Sequence, residues 1–188
     1  MSRRFGAGNK LLADVGGMPV IRRSTQAYID AGLEPVVVSI GYQHRAVRAA
    51  LTGLDVTLVE NPEYEQGQSR ALVHAVVRLP ERAEAAVIGV GDQPWLQPAT
   101  IRQLIEEWQR THAPIVAPLY LGRRGNPVLF ARVLFPELAD VTGDVGGRPV
   151  IQKHRDEVAW VPVPDALQAA DIDTPADLPS GDRDSQEP

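Results

Sequence analysis

Short apolar runs alternate with amphipathic stretches along most of the chain. Residues 35–40 and 86–90 are nearly continuous apolar runs rich in β-branched side chains, as expected of strands covered on both faces. Residues 56–59, 115–117 and 158–163 are shorter candidates of the same kind. Between them the apolar period lengthens to that of a helix. Pro19 suits a helix start and Gly32 a stop, with Val20, Ile21, Ala27 and Ile29 on the apolar face. Val47, Ala50, Leu51 and Leu54 mark a second helix, and Leu72, Ala75, Val76 and Leu79 a third. The clearest spans residues 98–111, where Ile101, Leu104, Ile105 and Trp108 share a stripe. These stripes read as core packing. Alternating strand and helix units predict a three-layer α/β fold, Rossmann-like, with a mainly parallel sheet and helices on both faces.

The 188 residues suit one domain, and a chain of that length buries ~70% of its unfolded surface. No internal repeat or dividing linker is evident, so residues 1–178 are expected to form the domain. The tail 179–188 has no apolar residue and is expected to be disordered. No apolar stretch approaches the ~18 residues of a membrane span, and the basic start lacks the apolar region of a secretory signal. A cytoplasmic protein that binds no membrane is the expectation.

The absence of cysteine excludes disulfides, zinc ribbons, thiolate nucleophiles and cysteine-ligated clusters. The four histidines show no paired metal-ligand spacing, and a net charge of −5 argues against a nucleic-acid binder. Of the 19 basic residues, 17 are arginine and only Lys10 and Lys153 are lysine. Lys10 therefore stands out.

In an open α/β sheet, ligands bind beyond the carboxyl ends of the strands. Gly91-Asp92-Gln93-Pro94 follows the 86–90 run, and a carboxylate there faces the crevice. Such a hard oxygen ligand suits Mg²⁺ carrying a phosphate substrate, although an aspartate that caps the next turn fits the same position. In Asp171-Ile172-Asp173-Thr174-Pro175 the two acids alternate with an apolar residue, so both can project from one face of an extended segment. They could complete a metal site opposite Asp92. The segment also reads as a helix start capped by Asp173 or Thr174. The start, Ser2-Arg3-Arg4-Phe5-Gly6-Ala7-Gly8-Asn9-Lys10, is basic and glycine-rich, able to bring backbone amides, Arg4 and Lys10 to a triphosphate. It is not a P-loop, and no G-x-G-x-x-G follows a predicted strand.

Taken in order, these segments resemble the nucleotidyltransferases related to molybdenum cofactor biosynthesis, most closely the molybdenum cofactor cytidylyltransferase branch. Ser2, Arg4, Phe5, Gly6 and Lys10 match the second half of that family's opening loop, Leu-Ala-Ala-Gly-x-Ser-x-Arg-[Met/Phe]-Gly with a following lysine. Gly16-Gly17-Met18-Pro19-Val20, Asn61-Pro62 with Gly67 and Ser69, and Gly91-Asp92-Gln93-Pro94 follow. Arg124-Gly125-Asn126-Pro127-Val128-Leu129-Phe130, Thr142-Gly143-Asp144-Val145-Gly146-Gly147-Arg148 and the Asp171 segment continue the series. The resemblance runs from residue 2 to about residue 178 and departs from the family in three places. No apolar strand ending Leu-Ala-Ala-Gly precedes Ser2, so the fold is expected to lack its first strand. Asn126 stands where relatives often carry histidine, and Met18 where they often carry lysine.

The resemblance implies an Mg²⁺-dependent transfer of a nucleoside monophosphate from CTP to the phosphate of the molybdopterin cofactor, with release of pyrophosphate. It implies Arg4, Lys10 and Asp92 as catalytic, and Asp92 with Asp173 as metal ligands. It implies Ser2, Gly6, Asn61, Gly67 and Ser69 at the nucleotide, and Asn126, Asp144 and Arg148 at the acceptor. A molybdenum hydroxylase is the implied recipient of the product. A related transferase using GTP or another phosphorylated acceptor stays open, as does a non-catalytic nucleotide- or cofactor-binding relative.

Overall fold

The computed structural model describes residues 8–178. Ser2, Arg4, Phe5 and Gly6 of the basic segment, and the tail 179–188, lie outside the described residues.

The long amphipathic stretches form the expected helices. Pro19 is the residue before α1 (Val20–Asp30), and Gly32 beyond its end takes the left-handed conformation that stops it. Then come α2 (His44–Ala50), α3 (Gln68–Val76) and α4 (Pro98–Thr111), the last with proline in its first turn. Two further helices, α5 (Phe135–Ala139) and α6 (Arg148–Lys153), are too short to show a helical period in sequence.

The apolar runs become β1 (Val37–Ile40), β2 (Thr57–Glu60), β3 (Ala85–Ile88), β4 (Ile115–Tyr120) and β7 (Val158–Val163). β1 pairs with β2 in parallel, and β7 runs parallel to β4 from Ile115↔Val158 to Tyr120↔Val163. Two strands add to that pattern, the short β5 (Arg123–Arg124) and β6 (Val128–Ala131). β6 lies between β3 and β4 and is antiparallel to both. The chain passes from β4 through a turn at Leu121 and Gly122, both at positive φ, into β5 and on to β6. So short a connection cannot make the crossover that a parallel pairing needs.

Alternate residues of each strand feed opposite layers. Ile115, Ala117, Val128 and Phe130 pack with Leu72 and Val76 of α3, Leu138 of α5 and Val150 of α6. Val116, Leu129 and Val161 face Leu104 of α4 on the other side. Ala27 and Tyr28 of α1 join Ile101 of α4 over Val36 and Val87, and α2 closes over Ile40 through Val47 and Leu51. The protein is thus an α/β fold with helices on both faces. Among the described residues, β1 pairs only with β2 and β3 only with β6. No residue of β3 is fully buried, whereas five of the six in β4 are. No helix among them is long and apolar enough to cross a membrane.

At its far end α6 is pinned to α5 by charge. His154 lies 2.7 Å from Glu157 and 3.1 Å from Glu137, and Lys153 lies 3.0 Å from Glu137. The hydrogen bonds to Glu157 and then Glu137 raise the His154 imidazole above its ordinary 6.5. A raised histidine stabilises the fold fully below that ordinary value and loses the contribution as pH rises through the raised one. Melting temperature is therefore expected to fall as pH rises above about 6.5, by the equivalent of less than about 1 kcal/mol. In His154→Gln the slope should flatten, and thermal melts at matched ionic strength check it.

Candidate active site

Lys10 opens a 3₁₀ turn that two leucines anchor. Asn9 caps the turn by accepting from the Leu11 backbone N–H at 3.1 Å, while Leu11 and Leu12 pack against the cluster of Ile21, Ile40 and Leu51. The Lys10 backbone is thereby fixed and its side chain points at the carboxyl end of β3. Two glycines shape that end. A side chain at Gly91 would meet Ile21 Cδ1 at 2.6 Å, and one at Gly89 would run into the buried Tyr28. Glycine lets the chain lie against α1, which sets the position of Asp92. Burial pushes the Tyr28 phenol well up, so it stays protonated, and its hydroxyl has no protein partner.

The late acidic segment is stitched to the same place by its backbone. Ile172 N–H donates to the Asp92 carbonyl at 3.0 Å, and the Ile172 side chain is fully buried with Val15 and Val20. Gln93 Nε2 donates to the Ala169 carbonyl at 3.2 Å, and Thr100 Oγ1 donates to Gln168 Oε1 at 2.7 Å. Thr174 is the N-cap of the 3₁₀ turn Pro175–Asp177, and Asp177 closes a capping box with it. Asp177 Oδ2 accepts from the Asp173 and Thr174 backbone N–H groups at 3.0 and 2.7 Å and from Thr174 Oγ1 at 2.9 Å. These bonds hold the Asp177 carboxyl below the usual range. The Asp173 carboxylate does no capping. It faces Lys10.

Lys10 Nζ lies 2.5 Å from Asp92 Oδ2 and 2.8 Å from Asp173 Oδ1. One ammonium therefore bridges two carboxylates brought together from distant parts of the chain. Burial works against the Lys10 charge, but the hydrogen bonds of Asp173 and Asp92, with their charges, outweigh it and raise the group above its ordinary value. Asp171 lies two residues before Asp173 and is exposed. Desolvation of its carboxyl, and then the Asp92 charge, push it above the usual carboxylate range.

Among the described residues no three His, Asp or Glu side chains gather as a metal cluster, so a divalent cation here would take two carboxylates and draw its other ligands from water or a substrate. Asp92 Oδ1 is buried without a hydrogen-bond partner, an acceptor left over after Lys10 takes Oδ2. Two carboxylate oxygens within reach of one small cation are the hard donors that Mg²⁺ or Mn²⁺ accepts, with water filling the remaining positions.

The remaining candidates form a second group. Asn61 follows β2; it is buried, and its side chain accepts from the Glu63 N–H at 3.1 Å. Gly67, at φ 103°, leads into α3, where Ser69 is fully buried with its hydroxyl unpartnered. The Asp144 carboxylate accepts from the Gln68 N–H at 2.8 Å, and the Gly143 carbonyl accepts from Ser69 N–H at 3.3 Å. Asp144 thus caps α3 from another loop and lies beside Gly67 and Ser69. Arg148 is exposed at the start of α6. Asn126 is held through its carbonyl, which accepts from Tyr120 Oη at 2.7 Å, and neighbouring Pro127 lies against Gly89. A network that the sequence reading did not single out sits close by, where Glu63 pairs with Arg70 and lies 3.2 Å from His74. The i, i+4 spacing of Arg70 and His74 on α3 was the available signal.

Asp92 and Asp173 meet at the carboxyl end of β3, the place where ligands bind in open α/β sheets. The chain belongs to the family of MobA-like NTP transferase domains, whose model matches residues 1–158. The solved structure of Rv0371c from Mycobacterium tuberculosis H37Rv is 30% identical, with a TM-score of 0.82 over 94% of this chain and 89% of that one. Its manganese complex is 31% identical with a TM-score of 0.71, covering 85% of this chain and 83% of that one. Among curated proteins, the 3-deoxy-manno-octulosonate cytidylyltransferase of Vibrio campbellii (strain ATCC BAA-1116) is 31% identical over 107 residues, 56% of this chain and 42% of that protein. The chain thus spans less than half the length of the curated relatives it matches first.

The contact between the 67–69 and 143–144 segments depends on the absence of a side chain at Gly67. A Cβ there would meet the Asp144 backbone Cα and the Gly143 carbonyl oxygen, each at 2.9 Å, at a φ that side chains rarely adopt. Gly67→Ala is expected to destabilise the fold by about 1–3 kcal/mol, read as a shift in the urea midpoint. A midpoint within error of the unmodified protein contradicts this packing.

Proposed function

We propose that the protein is an Mg²⁺-dependent nucleotidyltransferase that joins CMP from CTP to the phosphate of the molybdopterin cofactor and releases pyrophosphate. The observation that carries this reading is the bridge from Lys10 to Asp92 and Asp173, two carboxylates held at one cation's reach beyond the sheet. Family membership supports nucleotidyl transfer, and the cytidylyltransferase among the relatives favours CTP over GTP as donor. The manganese in the Rv0371c complex supports a divalent cation.

In this reading an acceptor phosphate oxygen attacks the α-phosphorus, a P–O bond forms there, and the bond from that phosphorus to the β-phosphate oxygen breaks. The nucleophile is already anionic, so no strong base is needed, and the barrier lies in assembling polyanions and stabilising the leaving pyrophosphate. Asp92 and Asp173 hold the cation. When bound, it supplies the positive charge that neutralises the α- and β-phosphate oxygens. Lys10 serves the β- and γ-phosphates and the departing pyrophosphate; the family resemblance assigns Arg4 to the same role and Ser2 and Gly6 to the nucleotide. Asn61, Gly67 and Ser69 lie toward the base and ribose, and Asn126, Asp144 and Arg148 toward the acceptor. Asp144 would also keep its structural bond to the start of α3, so its loss should affect both stability and acceptor use.

Asp92→Ala is expected to lower turnover at least about 10²-fold, equivalent to about 2.7 kcal/mol of barrier, with little effect on folding. Pyrophosphate release at saturating Mg²⁺ checks it, and near-normal release removes Asp92 from the metal site. With reduced molybdopterin cofactor as acceptor, CTP should be used in preference to GTP in side-by-side assays. Equal or better use of GTP overturns the donor assignment, and no product with either nucleotide overturns the acceptor.

A further inference from the structure

The geometry points to Lys10 as an exchangeable occupant of the cation position, holding Asp92 and Asp173 together in the nucleotide-free protein and giving way when a divalent cation enters. This inference rests on the reading of Asp92 and Asp173 as cation ligands. A single Nζ touches one oxygen of each carboxylate, at 2.5 and 2.8 Å. A cation held between the two carboxylates shares Asp173 Oδ1 with Lys10 and, whichever Asp92 oxygen it takes, lies within a few ångströms of the ammonium, where two positive charges repel strongly.

The parts around Lys10 suit exchange. Its backbone is tied down by the Asn9 cap and the Leu11 and Leu12 anchors, so only the four-carbon side chain has to move. Asp173 is half-exposed, and the cap of its own segment is supplied by Asp177, which leaves the Asp173 carboxylate able to re-aim without loosening the chain. The residue type points the same way. In a chain with 17 arginines and two lysines, this position carries the compact point charge rather than the planar fork that locks onto a carboxylate with two bonds.

A bound polyphosphate gives the displaced ammonium a strong anionic partner. Without nucleotide the cation must compete with Lys10 for Asp92 and Asp173. With nucleotide bound, Lys10 transfers to the triphosphate and the carboxylates become available. The consequence is weak cation binding to the empty site and joint binding of cation and nucleotide.

The test is Mn²⁺ titration of the nucleotide-free full chain, read as free Mn²⁺ by electron paramagnetic resonance, on the unmodified protein and on K10M, K10R and D92N. K10M is expected to bind Mn²⁺ about tenfold more tightly than the unmodified protein. K10R, which keeps both carboxylates occupied, should bind no more tightly. D92N should bind at least about tenfold more weakly. If D92N weakens binding but K10M binds with equal or lower affinity, Lys10 does not contend for these oxygens, and the inference falls while the cation site stands. Tighter binding by K10R also overturns it. Undiminished binding by D92N removes the cation site itself and the inference with it.

Discussion

The ammonium of Lys10 between the carboxylates of Asp92 and Asp173 is the contact around which the candidate site is built. Two carboxylates set this close repel one another unless a positive charge lies between them, and the fold supplies that charge from its own N-terminal turn. Backbone and packing fix all three partners. Glycines at 89 and 91 let the end of β3 lie against α1, the Ile172–Asp92 backbone bond carries the last acidic segment to the same point, and Leu11 and Leu12 seat the turn that bears Lys10. The ionic contact is partly exposed, so its direct contribution to stability is modest. Its value is positional, because it keeps a set of hard oxygen donors assembled where a phosphate-bearing cation can meet them.

The sheet explains why the donors converge there. β3, β4 and β6 are packed by helices on both faces, so polar segments have room only beyond the strand ends, and the segment after β3 meets the one that enters the antiparallel β6 at Asn126 and Pro127. The second group, Asn61, Gly67 and Ser69, follows from the neighbouring β2 and α3 and is braced by the loop that carries Asp144. The described residues thus present two polar groups, one charged and one built of small and amide side chains.

Much of this was legible in the sequence, for physical reasons. The 158–163 and 98–111 elements carry complete apolar patterns, and their bounds agree with the observed β7 and α4. Ile172 is buried, as the alternation of Asp171, Ile172 and Asp173 in an extended segment implies. What the pattern could not convey was direction and partnership. Residues 128–131 are apolar in either strand sense, and only the short connection from β4 makes β6 antiparallel. α5 and α6 are too short to show a period. The choice between capping and ligation at Asp173 depended on Asp177, four residues on, taking the capping bonds. The Asp144 cap on α3 joins segments with no sequence signal of their proximity.

Nucleotidyl transfer at this site requires Asp92 and Asp173 to bind one divalent cation together. Anomalous scattering from crystals of the protein grown with Mn²⁺ and CTP tests it most directly. The account predicts a peak within about 2.5 Å of a carboxylate oxygen of each aspartate, with Lys10 Nζ withdrawn toward the phosphates. A peak bound elsewhere, with Lys10 still bridging Asp92 and Asp173, would contradict it.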